Sequence, residues 1–243
     1  VKLADAAPAD SGLPQLGGIT SVAATTSGGD ATCAPRLTLT PAPGAMIDVL
    51  LQAPCSLGER VVIQHAGLAF SDRIGADSQL RLRLPAMTVE AAVAAYVGGS
   101  EVVMGKVAMP DAADYLRLAV QMPGVAGFDL RAEEAGQVFA ASSATSAEGV
   151  HRITGLGQAR MENPLLSQVY SVALDGLAQP NLSVELRIGA ETCGHTISAD
   201  VILSQAGKVS QSSQSVAVPA CGTSGDILVL KNLLPDLTLA AAD

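Results

Sequence analysis

Gln79-Leu80-Arg81-Leu82-Arg83-Leu84-Pro85 decides the fold class. Its leucines recur at every second position and its arginines fill the gaps. A period of two is the pleat of a β-strand, which sends successive side chains to opposite faces. Leu80, Leu82 and Leu84 therefore share an inward face, and Arg81 and Arg83 an outward one. Pro85 has no N–H to give a neighbouring strand, so the pattern stops there. The same period extends outward in both directions. Met46-Ile47-Asp48-Val49-Leu50-Leu51 and Arg60-Val61-Val62-Ile63-Gln64-His65 precede it, and Phe128-Asp129-Leu130-Arg131-Ala132-Glu133 follows. Further strands are expected at 37–40, 68–71, 102–109, 115–122, 168–174, 182–188, 196–203, 215–218 and 227–230. Residues 89–97 fit a short helix or a strand, because their alanines and valines pull in different directions. Gly98-Gly99-Ser100 reads as a hairpin turn. Short strands at this spacing, several ending at a proline, point to antiparallel sandwiches rather than a parallel sheet.

The four cysteines fall into two separated pairs. Cys33 and Cys55 are 22 residues apart, and Cys193 and Cys221 are 28 apart. No C-x-x-C occurs, which removes the usual signature of a redox dithiol or zinc knuckle. Four cysteines allow three pairings. The contexts favour Cys33–Cys55 and Cys193–Cys221. Each first cysteine precedes a β-patterned run, Leu37-Thr38-Leu39-Thr40 in one case and 197–203 in the other. Each second cysteine has a proline just before it, Pro54 or Pro219. Each is followed by a Gly-acid step, Gly58-Glu59 or Gly225-Asp226, and another strand. This reads as a degenerate internal repeat. Disulfides persist outside the reducing cytosol, so a periplasmic or extracellular location is expected.

The expected class is all-β, with two β-sandwich-like modules, each closed by a local disulfide, joined by a β-rich middle segment. Residues 1–30, rich in Ala, Gly, Ser, Thr, Asp and Pro, read as a flexible arm or tether. Residues 31–140 form the first module, 141–180 a connecting segment, and 181–243 the second module. Residues 141–150 carry almost no core-forming side chains and read as a loop. Ser210-Gln211-Ser212-Ser213-Gln214-Ser215 reads as an exposed hairpin loop and an interaction surface. Residues 233–237 are expected to return as an edge strand. The chain opens on Val1, and a membrane anchor or signal peptide upstream of it is expected.

Composition excludes several functions. Lys and Arg number 14 against 23 Asp and Glu, a net charge of -9. Nucleic-acid backbones demand dense positive charge, so DNA and RNA are not expected partners. Aromatics are 2% of the chain and Trp is absent. Phe70, Phe128, Phe139, Tyr96, Tyr115 and Tyr170 are scattered, which disfavours stacking platforms for sugars or bases.

Catalytic motifs are likewise missing. His65, His151 and His195 form no H-E-x-x-H and no close ligand pair. They read as turn or strand-end residues. Gly222-Thr223-Ser224-Gly225 is not a nucleophile elbow and reads as a turn beside Cys221. Gly155-Leu156-Gly157-Gln158-Ala159-Arg160 lacks the third glycine of a dinucleotide loop. Asp72 and Asp77 read as a hairpin turn between 68–71 and 79–84. Asp111 and Asp114 read as a turn entering the strand at Tyr115. Both are weak candidates for a cation. Glu133 and Glu134 are adjacent in a strand and point to opposite faces, so they do not form a glycosidase pair. No catalytic residue, metal ligand or cofactor site is assigned.

Three stretches carry a family resemblance: Pro54-Cys55 through residue 68, residues 111–121, and Asp226-Ile227-Leu228-Val229-Leu230-Lys231-Asn232-Leu233-Leu234. In these the chain resembles uncharacterised, N-terminally anchored bacterial cell-envelope β-proteins, sometimes labelled "translocase", whose cysteine modules face the periplasm. The resemblance spans most of 33–240 and brings no catalytic residues. Residues 61–84 are also similar to the strand–turn–strand unit of transthyretin-like sandwiches.

The expected function is therefore a non-catalytic structural or protein-interaction role in the periplasm or cell envelope, as an accessory subunit of a membrane or envelope complex. Its partners would be envelope proteins. Its membrane contact would run only through an N-terminal anchor outside this sequence. The alternatives are a small-ligand or glycan-binding protein and a hydrolase with a site assembled from distant residues.

Overall fold

Alternating apolar residues bury one face of each strand, and those faces have to meet. In the computed structural model, which describes residues 22–23, 32–134, 136–141, 153–176, 180–223 and 226–231, they meet in two β-sandwiches. The first contains β1 (Val22–Ala23), β2 (Arg36–Ala42), β3 (Met46–Gln52), β4 (Arg60–His65), β5 (Leu68–Arg73), β6 (Gln79–Pro85), β7 (Glu90–Val97) and β8 (Glu101–Ala108). One sheet has the order β1-β2-β3-β6 and the other β5-β4-β7-β8. Leu39, Ile47, Leu51, Val61, Ile63, Phe70, Leu84 and Val93 fill the space between them.

A short 3-10 helix, Pro110–Asp114, leads into the second sandwich. That unit contains β9 (Tyr115–Gln121), β10 (Phe128–Glu134), β11 (Gln137–Ala140), β12 (Ile153–Leu156), β13 (Ser167–Ala173), β14 (Asn181–Arg187), β15 (Thr196–Gln205), β16 (Lys208–Ala217) and β17 (Ile227–Lys231). Its sheets run β12-β13-β9-β15-β16 and β11-β10-β14-β17, packed over Leu118, Val120, Leu130, Tyr170, Val184, Leu186 and Val201. Every strand pair described is antiparallel.

Both expected disulfides are present, Cys33–Cys55 and Cys193–Cys221. Their settings match, as the repeated sequence context implied. Each bridge closes the open end of a hairpin, β2–β3 or β15–β16. Each is followed by a strand that crosses to the opposite sheet, β4 or β17.

The structure corrects several local expectations. The module boundary lies near residue 110, not 140. β9 and β10 pair with β13, β15 and β14, so they belong to the second unit. Residues 141–180 supply β12 and β13 to that unit rather than a mere connection. The Asp72–Asp77 turn does not close a hairpin. β5 pairs with β4 while β6 pairs with β3, so this segment crosses between sheets. Residues 210–215 are not a loop but the centre of β16. The turn sits earlier, at Ala206-Gly207, whose φ values of 50° and 70° suit a two-residue hairpin. Within 89–97, Glu90–Val97 resolve as strand, with β7 between β4 and β8. Val22 and Ala23, within the expected arm, pair with β2. The rest of 1–30, residues 142–150 and the tail at 233–237 lie outside the described residues.

Candidate functional site

Two features stand out on this scaffold: a polar seam between the sandwiches and a long open sheet edge.

The seam is built on the outer face of the sheet containing β9, β13 and β15. Ala119, Val169 and Ile202 on that face join the core of the first sandwich. Around them, polar side chains bind the first unit's backbone. Gln121 accepts from the Ala69 N–H at 3.0 Å and donates to Gly67 O at 3.1 Å. Ser167 donates to Ala69 O at 3.0 Å, and Ser204 to Met87 O at 2.6 Å. The free edge of β5 is covered as well. Ser71 N–H donates to Leu165 O, and Gln158 N–H donates to Ser71 O, each at 2.9 Å.

Arg117 is the centre of this seam. Its side chain is among the largest that are fully buried. Nη2 donates to Gly44 O at 2.7 Å, Nη1 to Ala86 O, and Nε to Ser171 Oγ at 3.1 Å. The guanidinium carbon lies 4.7 Å from the centre of the Tyr115 ring, a cation–π distance. Burial pushes its pKa down to about 10, still leaving it charged at neutral pH. Two of its acceptors are carbonyls of the first sandwich, so this one side chain from the second unit locks the two together. The sequence holds a trace of it. In Tyr115-Leu116-Arg117-Leu118-Ala119-Val120-Gln121 the alternation reads as one apolar and one polar face. Nothing local reveals that the polar face is covered.

His65 lies close by and is also buried. Nδ1 is 2.9 Å from Ala92 O, and Nε2 is 2.9 Å from Met87 N. Ala92 O can only accept and Met87 N–H can only donate. The ring is therefore neutral, with its proton on Nδ1. Both nitrogens are committed to backbone, so neither serves as a base. Burial lowers its pKa from 6.5, and the Arg117 charge pushes the same way, against the bond to Ala92. The sign of the pH effect follows. Above pH 6.5 the ring is neutral in both folded and unfolded chains. Below it the unfolded chain takes up a proton that the folded chain refuses. Stability then falls, by at most about 1.4 kcal/mol per pH unit, until the folded pKa is reached. The melting temperature is expected to drop more steeply between pH 6.5 and 5 in the wild type than in His65→Gln. Equal slopes would remove His65 from this account.

The other sequence candidates are not gathered into one site. His195 is exposed in the turn after Cys193. His151 and Ser224 lie outside the described residues. Glu133 is exposed, whereas Glu134 is buried and accepts a 2.5 Å bond from Tyr170 OH. Asp77 accepts from Arg81 at 2.8 Å and caps its own turn through Gln79 N–H. Asp111 and Asp114 border a cleft of about 470 Å³ with Tyr115 and Asp175. No group of three or more His, Cys, Asp or Glu side chains among the described residues is placed to hold a metal ion. A second cleft, of about 500 Å³, lies beside Phe128, Gln168 and Arg131. There Arg131 is matched by Glu185 at 2.8 Å and by Asp129 at 3.7 Å. That internal neutralisation leaves little charge for an anionic ligand.

The open edge is β16. Among the described residues it ends its sheet, pairs only with β15, and runs ten residues without a bulge. Eight of the ten residues are exposed, on both faces. Proteins normally blunt such edges with charges, prolines, bulges or brevity. β6 carries Arg81, Arg83 and Pro85; β8 carries Glu101 and Lys106; β11 and β12 have four residues each; β5 is covered. β16 has Lys208 at its start and no other guard.

No family model, curated protein or solved structure matches the chain. The two disulfides place the folded chain in an oxidising, extracytoplasmic environment. No helix among the described residues is long and apolar enough to cross a membrane.

Proposed function

We propose that this chain is a non-catalytic structural or protein-interaction protein of the bacterial periplasm or cell envelope, an accessory subunit that docks through the edge of β16. The observation that carries this reading is the unguarded ten-residue edge itself. An open strand presents a row of N–H and C=O groups, and an added strand satisfies them by β-augmentation. The seam supports the reading too. Arg117, Gln121, Ser167 and Ser204 hold the two sandwiches as one body, so the edge is presented rigidly and loses little entropy on docking. The cell-envelope assignment rests on the disulfides and on the resemblance of 54–68, 111–121 and 226–234.

The test is site-specific photo-crosslinking in the native envelope. A photoreactive side chain at Ser213 is expected to give one discrete adduct. The same group at exposed Asp111, away from β16, is expected to give none. Uncrosslinked chain in both cases would sink the proposal.

A further inference from the structure

We infer that the strand that occupies the β16 edge is β16 of a second copy of this chain, paired antiparallel about a two-fold axis at Ser213. This rests on the edge-docking reading above and names its partner. Three observations lead to it.

The first is which groups the edge offers. β15 and β16 are joined by the two-residue turn Ala206-Gly207, and Gln205 lies opposite Lys208. The residues flanking a two-residue turn exchange both of their backbone bonds, and bonding then alternates along an antiparallel pair. Lys208, Ser210, Ser212, Gln214 and Val216 therefore bond to β15. The bond from Val218 N–H to His195 O, at 3.0 Å, continues the same parity beyond the strand. Val209, Gln211, Ser213, Ser215 and Ala217 consequently turn their N–H and C=O groups outward. None of these ten groups has a backbone partner among the described residues.

The second is the symmetry of that set. The five outward residues are centred on Ser213. In an antiparallel pair of two such strands, Ser213 meets Ser213, Gln211 meets Ser215, and Val209 meets Ala217. Every outward group finds a partner with none left over. A two-fold contact requires this self-complementarity, and most soluble oligomers close by one.

The third is charge. The chain carries -9 overall, and two copies repel at most points of their surfaces. Between Asp200 and Asp226 there is no acidic residue. β16 lies within that stretch and itself brings no acid to the contact; the carboxylate nearest the axis, Asp200 on β15, is held back by a hydrogen bond from Ser213 Oγ. The single cation, Lys208, falls opposite Val218 of the second copy. The two Lys208 side chains then stand about 34 Å apart along the strands at 3.4 Å per residue. Ser and Gln side chains on both faces of the new pair can hydrogen-bond across it. Two five-stranded sheets become one of ten strands.

Sedimentation equilibrium of the whole chain tests this. The wild type is expected to be a dimer at micromolar concentration. Ser213→Pro deletes an outward N–H while leaving every backbone bond to β15 and losing only the hydroxyl bond to Asp200, so it is expected to fold and to sediment as a monomer. Should that variant misfold, a charge pair decides. The double variants Gln211→Lys with Ser215→Lys, and Gln211→Glu with Ser215→Glu, are each expected to be monomers, because like charges meet where Gln211 faces Ser215 of the second copy. Their equimolar mixture is expected to recover the dimer. Register is read separately. A mixture of Gln211→Cys and Ser215→Cys chains should give disulfide-linked dimers at least tenfold faster than either alone. A wild type that stays monomeric at 100 μM, on the order of a hundred times the expected midpoint for a micromolar complex, overturns the second copy as occupant. So does a dimer insensitive to the Ser213, Gln211 and Ser215 variants. Either result leaves edge docking to the photo-crosslinking test, where an adduct with a different protein would support docking and reject self-pairing.

Discussion

Arg117→Ala is expected to destabilise the protein by about 3–5 kcal/mol, the cost of leaving buried acceptors without a donor and a large buried side chain's volume empty. The guanidinium serves Gly44 O, Ala86 O and Ser171 Oγ at once. Two of these acceptors are backbone and remain in place after the substitution. Each buried carbonyl left without a donor costs roughly 1–3 kcal/mol. Buried ion pairs can often be replaced by apolar residues at little cost, because both partners leave together. Here only one partner can leave. Arg117→Met should therefore also be unstable, although it keeps most of the volume and the contact with Tyr115. Arg117→Lys should fall between, since an ammonium cannot reproduce the planar fork.

The mode of failure should be as informative as its size. Ala119, Val169 and Ile202 share the first sandwich's core, and the wild type is expected to unfold in one urea transition. Arg117→Met is expected to unfold in two, as the sandwiches uncouple. A variant with one transition at the wild-type midpoint would show that the apolar seam suffices without Arg117.

The second large effect is expected from the disulfides. Bridges closing loops of 22 and 28 residues stabilise by about 3–4 kcal/mol each on chain-entropy grounds. For a chain of this size that corresponds to a fall in melting temperature of about 10 °C per bridge. The two should differ in kind. Cys33–Cys55 ties the entry of β2 to the exit of β3, inside one well-packed sandwich. Cys193–Cys221 closes the end of the β15–β16 hairpin farthest from its turn. Replacing Cys193 and Cys221 with alanine should therefore also raise hydrogen exchange at Val216 and Val218 and weaken edge docking. Replacing Cys33 and Cys55 should lower the melting temperature with the β16 edge intact. The same change in exchange at β16 from both double variants would contradict that division.

Much of the fold was legible because its causes are local. Leu80 and Leu84 are buried and Arg81 and Arg83 point outward, as a period of two requires. The cysteine contexts identified the pairs because each bridge closes a single hairpin, and its surroundings lie within 30 residues. Ser210 to Ser215 misled the reading for an equally physical reason. The run has no apolar periodicity, and periodicity is a signal of burial rather than of strand geometry. β16 is extended because β15 needs partners for its N–H and C=O groups and the Ala206-Gly207 turn delivers one in register.

The open edge that carries the functional reading was thus visible as a polar stretch but not as an edge. Its exposure was expected; its geometry was not. The seam was hidden more completely. Arg117 and Gln121 look like the solvent side of a half-buried strand, and an isolated second sandwich would leave them there.

The sequence alone determined the β class, the two local disulfides and the oxidising compartment, since alternation and cysteine context are short-range. Only the tertiary structure decided which sheet each strand joins, where the first unit ends, which polar face is buried and which edge stays open. Those outcomes depend on pairings such as Phe128 with Leu186 and contacts such as Arg117 with Gly44. Long-range burial and hydrogen-bond satisfaction set them, and no window of sequence contains both partners.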